Sequence, residues 1–138
     1  MKAIADGSHP PAPIQKLMGF ELVEAGEGRT LFRSVPGPQH LNPIGTVHGG
    51  FAATLLDSCM AAAVHTTCAE GEGYSTLEVK FNLVRPITPE TGEVLAEGHV
   101  VHRGRRVSTA EGTLKSASDG KLLAHGTTTC MILTPGAG

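Results

Sequence analysis

Between residues 49 and 67 the chain is apolar on nearly every side of a helix, with Phe51, Ala52, Leu55, Leu56, Cys59, Met60 and Val64 distributed around the circumference rather than along one stripe. Rich in alanine and roughly five turns long, such a segment belongs in the middle of a domain, because it has no polar face to offer water. The rest of the chain must wrap around it.

The flanking sequence supplies strands for that purpose. Residues 20–25 and 30–35 are separated by Gly26-Glu27-Gly28-Arg29, a spacing and composition that predict a β-hairpin. A short helical turn over 13–18, stopped by Gly19, precedes them. Residues 36–45 contain Pro36, Pro38 and Pro43 and are read as a loop, since proline lacks the donor that a helix or central strand requires. After the helix, Leu77, Val79, Phe81 and Leu83 alternate with Thr76, Glu78, Lys80 and Asn82, which predicts a strand ending before Pro86. Three more strand-like stretches, near 93–102, 106–116 and 121–133, meet at turns Arg103-Gly104 and Ser118-Asp119-Gly120 and read as an antiparallel meander. The expected class is α+β, a curled antiparallel β-sheet around one long central helix, the hot-dog architecture. Residues 1–12, with Pro10-Pro11 and little periodicity, are expected to form a flexible arm, and residues 13–134 a single domain.

Bulk properties exclude several functions. A net charge of −2 argues against an extended nucleic-acid footprint. No run approaches the roughly 20 apolar residues of a membrane span, so a cytoplasmic protein is expected. Cys59, Cys68 and Cys130 are odd in number and never form a Cys-x-x-Cys pair, which suggests neither a disulfide framework nor a metal site.

Asp57 is the single charged residue in the apolar helix, and an unpaired buried carboxylate costs several kcal/mol. It shares a stripe with Thr54 and Ser58, continued by Ala61 and His65. That stripe fits a patch touching solvent or a second subunit as well as it fits a reactive site. At the helix start, His48-Gly49-Gly50 lets a ligand approach backbone N–H groups that have no intrahelical acceptor, beside the positive end of the helix dipole. A tight turn, with His48 packing on the loop, is the plainer alternative. Gly49 and Asp57 are eight residues apart, roughly 12 Å along one helix. To act on one carbonyl they must come from two subunits, which makes a homodimer a requirement of the chemistry.

Asn42-Pro43-Ile44-Gly45-Thr46-Val47-His48-Gly49-Gly50, followed by Ala53-Thr54-Leu55-Leu56-Asp57, resembles the N-x-x-G-x-x-H-G-G-x-x-x-x-L-x-D signature of hot-dog thioesterases related to the phenylacetate-pathway enzyme. Residues 76–86 resemble that family's third strand. The resemblance implies an acyl-coenzyme A thioesterase in which Asn42 and the Gly49 N–H polarise the thioester carbonyl. Asp57 would act as general base or nucleophile, and Thr76, with Ser75 next to it, would position the water. It implies that His48 orients the loop, that Gly50, Thr54 and Ser58 lie beside the substrate, and that no cofactor is needed, coenzyme A being part of the substrate. Tetramers are common among the relatives, so a homotetramer built from two such dimers is expected. Arg85, Arg103, Arg105 and Arg106 flank strand ends and are candidates for the coenzyme A phosphates, although solvated turns also collect arginines. Two alternatives stay open: an acyl-thioester dehydratase or hydratase, which would need a histidine paired with a carboxylate and for which His40 is the candidate, and a non-catalytic acyl-CoA-binding module.

Overall fold

The structure, a computed structural model, describes residues 10–135, so the expected arm over 1–12 lies outside the described residues except for its last three. A first helix, α1 (Pro13–Met18), carries proline in its first turn, and Gly19 stops it at φ 75°. The hairpin follows as β1 (Phe20–Gly26) and β2 (Arg29–Ser34), with Gly28 at φ 76° in the turn. The proline-rich loop contains one short 3₁₀ turn, Pro38–His40, and leads into α2 (Gly49–His65). Four strands complete the chain: β3 (Gly73–Leu83), β4 (Val94–Arg103), β5 (Val107–Ser116) and β6 (Leu122–Leu133).

All six strands form one antiparallel sheet in the order β1-β2-β4-β5-β6-β3. β4 to β6 are the predicted meander, whereas β3 crosses to the far side of β6 and becomes an edge. Helix α2 touches every strand, so the sheet curls around it as the hot-dog architecture demands. Leu55, Leu56, Cys59, Met60 and Val64 on α2 are fully buried. Among the described residues no helix is long and apolar enough to cross a membrane.

The sheet can approach the helix closely at Gly98 and Gly112, two of three glycines that stand side by side in it. Gly98, Gly112 and Gly126 face one another across β4, β5 and β6. A Cβ on Gly98 would lie 2.2 Å from the Cys59 carbonyl oxygen, and one on Gly112 would lie 2.9 Å from Met60 Cγ. Thr30, opposite Gly98 on β2, donates its hydroxyl to that same Cys59 carbonyl at 2.6 Å.

β3 departs from regular alternation at one point. Thr76 pairs with Cys130 and Glu78 with Thr129, leaving Leu77 as an extra, half-exposed residue. A one-residue bulge reverses the facing of everything beyond it. Thr76 therefore shares the helix side with Val79, which packs on the core, although simple alternation assigns the two to opposite faces.

Candidate active site

Asp57 lies on the strip of α2 that the sheet leaves partly open. Ala53, Thr54, Asp57 and Ser58 are half-buried there, while Leu55, Leu56, Cys59 and Met60 between and beyond them are buried. The predicted stripe is real, with Ala61 buried and His65 half-buried further along it. The Thr76 hydroxyl on β3 donates to Asp57 Oδ1 at 3.1 Å, and it is Thr76, not its exposed neighbour Ser75, that faces the helix. Thr54 does not face the carboxylate; its hydroxyl donates to the Gly50 carbonyl one turn back, at 2.8 Å.

Asp57, Ser58 and Thr76 open on a cavity of about 330 Å³ walled by Phe20, Phe32 and Tyr74. Ile14 and Gln15 of α1 also line it. His65 and Tyr74 stack at 4.9 Å on its lining, where burial lowers the His65 pKa below the ordinary 6.5 and raises that of Tyr74 above 10. Beneath Thr76, at 4.0 Å, lies the buried thiol of Cys130, which burial holds in its protonated form. Gln15 and Tyr74 were not singled out from sequence. Gln15 sits in a six-residue helix with no motif of its own, and the residue facing of β3 is hidden by the bulge. Only the heptad-like continuation of the Asp57 stripe pointed to His65.

The loop before α2 is built around two side chains. Asn42 accepts at Oδ1 from the N–H groups of Ile44 (3.0 Å) and Thr46 (3.2 Å), and its Nδ2 donates to the Thr46 hydroxyl (2.8 Å). Its amide thus shapes the turn that delivers the chain to the helix. His48 is the N-cap of α2: its ring Nδ1 accepts the Gly50 N–H at 2.8 Å. This explains Gly50, since a Cβ there would sit 2.9 Å from that ring nitrogen. With the Gly50 amide occupied by His48 and the Phe51 amide by the His48 carbonyl, the Gly49 N–H is left without a hydrogen-bond partner among the described residues. His40 accepts the Gly37 N–H at Nδ1 and packs at a tilt on Phe51, 4.5 Å between centroids, so it is engaged within the loop, and among the described residues it is not paired with a carboxylate.

Asn42, His48 and Gly49 line a different cavity, of about 320 Å³, with Leu83 and Arg85. Within one chain the Gly49 amide and the Asp57 carboxylate therefore open on separate hollows. The arginines divide similarly. Arg85 lies near Gly49 and donates to the Leu122 carbonyl at 3.0 Å. Arg103 is tied to Glu72 (2.8 Å) and Thr67 (3.0 Å) at the opposite end of the sheet, and Arg105 and Arg106 are exposed beside it.

The family model of the thioesterase superfamily matches residues 44–123, from the loop through the helix into β6. Human acyl-coenzyme A thioesterase 13 is 31% identical over 114 residues, covering 81% of this chain and 79% of that protein. An esterase-like protein of Caenorhabditis elegans is 34% identical over 112 residues; the match takes in 80% of this chain but only 64% of the length of that relative. Among solved structures, a phenylacetic acid degradation-related protein from Ralstonia eutropha JMP134 superposes with a TM-score of 0.84 at 30% identity, covering 94% of this chain and 97% of that one. This chain belongs to the thioesterase superfamily, a family of thioester hydrolases.

Proposed function

We propose that the protein hydrolyses an acyl-coenzyme A, with an aryl or medium-chain alkyl acyl group, at a site shared between two copies of the chain. The supporting observation is the division of the machinery within one protomer: a hydroxyl-braced carboxylate on one hollow, a free helix-start amide on another. A second argument comes from β3, an edge strand of eleven residues that exposes Leu77, Phe81 and Leu83 and invites pairing. Two copies of β3 paired antiparallel about the bond between Val79 and Lys80 would set Thr76 across from the partner subunit's Leu83. A Cβ at Gly49 would lie 3.1 Å from Leu83 Cδ1, so Gly49 travels with Leu83. The same pairing would bring Arg85 towards the partner subunit's Arg105 and Arg106, giving the coenzyme A phosphates cations from both chains.

In this reading the thioester carbonyl oxygen lies on the Gly49 N–H at the positive end of α2, while Asn42 holds the loop in place, so that its replacement costs the loop its shape. Asp57 of the other chain takes a proton from water as it attacks the carbonyl carbon, or attacks that carbon itself to give an anhydride that water then opens. Either way the C–S bond breaks, the coenzyme A thiolate leaves, and the acid is released. Thr76 fixes the carboxylate by donating to one of its oxygens.

The test is release of free thiol over a panel of alkyl and aryl acyl-CoAs. At least one member is hydrolysed well above the buffer rate, and Asp57→Asn lowers kcat by about 10²–10⁴ with little change in KM. Turnover by Asp57→Asn at the wild-type rate contradicts the assignment. Addition of water across an acyl double bond, or binding of the panel without turnover, would favour the dehydratase or binding-module readings instead.

A further inference from the structure

We infer that Gln15 is the end wall of the acyl pocket and sets the length of acyl group that the enzyme accepts; the inference rests on the assignment of Asp57 to the thioester. The cavity that contains Asp57 is small for a ligand site, about 330 Å³. A second cavity of about 410 Å³, lined by Pro11, Lys16, Glu21 and Val35, lies on the other side of α1. The two hollows share two wall residues, Gln15 and Phe20. Phe20 is a core residue held edge-on against Phe32, with ring centroids 5.7 Å apart. Gln15, only 9% exposed, is the part of the partition that belongs to α1 and not to the core.

Three contacts make this partition a fixed wall rather than a passing side chain. Gln15 Oε1 accepts the Ala12 N–H at 3.0 Å, which ties the side chain to the start of its own helix. The Gln15 carbonyl accepts the Gly19 N–H at 2.8 Å, and the Gly19 carbonyl accepts the Ser34 hydroxyl at 2.6 Å, which ties the helix to β2. An acyl chain that enters past Asp57 and Thr76 runs between Phe20, Phe32 and Ala61 and meets Gln15. Any carbons beyond that point need the second cavity. An alkyl chain that reaches Gln15 cannot satisfy the polar amide it meets there, so the residue disfavours long substrates by chemistry as well as by volume.

The experiment measures kcat/KM by thiol release for saturated acyl-CoAs from acetyl to stearoyl, in the full chain and in three variants. Gln15→Ala joins the two cavities, and its palmitoyl-to-octanoyl ratio of kcat/KM rises about tenfold or more over wild type. Gln15→Leu fills the same space without the amide and keeps the length cut-off, its ratio rising far less than that of the alanine variant. Gln15→Phe thickens the wall and moves the optimum to shorter chains. Wild-type ratios in both Gln15→Ala and Gln15→Phe overturn the inference, and should Gln15→Ala fail to fold, the phenylalanine and leucine variants decide it by the same ratio. No turnover of any panel member by wild type would instead sink the parent assignment of Asp57.

Discussion

Thr76 donates to one oxygen of Asp57, and at the scale of single residues that contact is what holds the acid in the proposed mechanism. A hydrogen bond to a charged group contributes about 1.5–3 kcal/mol, so a carboxylate freed to rotate loses about ten- to a hundredfold in rate. Thr76→Val keeps the shape and β-branching that a strand favours, so its melting temperature stays near that of wild type while kcat falls by that factor. Steady-state kinetics beside a thermal melt check this, and an unchanged kcat would show that the hydroxyl does not serve the acid. The candidate residues were legible to different degrees. Asp57 is visible as the only charge in an apolar helix, and His48-Gly49-Gly50 as glycines at a helix start. The roles within that triplet were not legible: His48 caps the Gly50 amide, Gly50 makes room for the ring, and Gly49 alone keeps a free donor.

At the scale of elements, the strands and helices follow from periodicity and turn residues, because those signals are local. What alternation could not reveal is the bulge at Leu77, which depends on how β3 registers with β6, some fifty residues away in sequence. Nor could it reveal that three glycines in different strands stand in one row. Each looks like an ordinary strand glycine until pairing lines them up, with Gly98 and Gly112 beneath Cys59 and Met60 and Gly126 against the β3 backbone at Lys80. Gly98→Ala puts a methyl 2.2 Å from a helix carbonyl, and backbone on both sides leaves nothing free to move. The expected loss of stability is about 3 kcal/mol or more, measured by denaturant unfolding. Gly112→Ala meets chiefly the flexible Met60 side chain and costs less, about 1–3 kcal/mol. Equal stability of Gly98→Ala and wild type would mean that the helix does not rest on this row.

For the whole molecule, the long edge strand β3 exposes Leu77, Phe81 and Leu83, and in the proposed dimer that edge would join the reacting groups across a two-fold axis. The proposed isologous dimer would carry two equivalent sites, each taking its acid from one chain and its amide donor from the other. Such a site can be repaired by mixing subunits that are damaged in different halves. Asp57→Asn removes the acid, and Asn42→Ala unshapes the loop that presents the Gly49 amide. The deciding measurement is the thiol-release activity of these two variants after they are refolded together. Random exchange makes half of the dimers mixed, and each mixed dimer holds one intact site, so activity recovers to about a quarter of the wild-type value although each variant alone is nearly inactive. If the mixture is no more active than the mean of the two separate variants, each site is complete within one chain and the account is wrong.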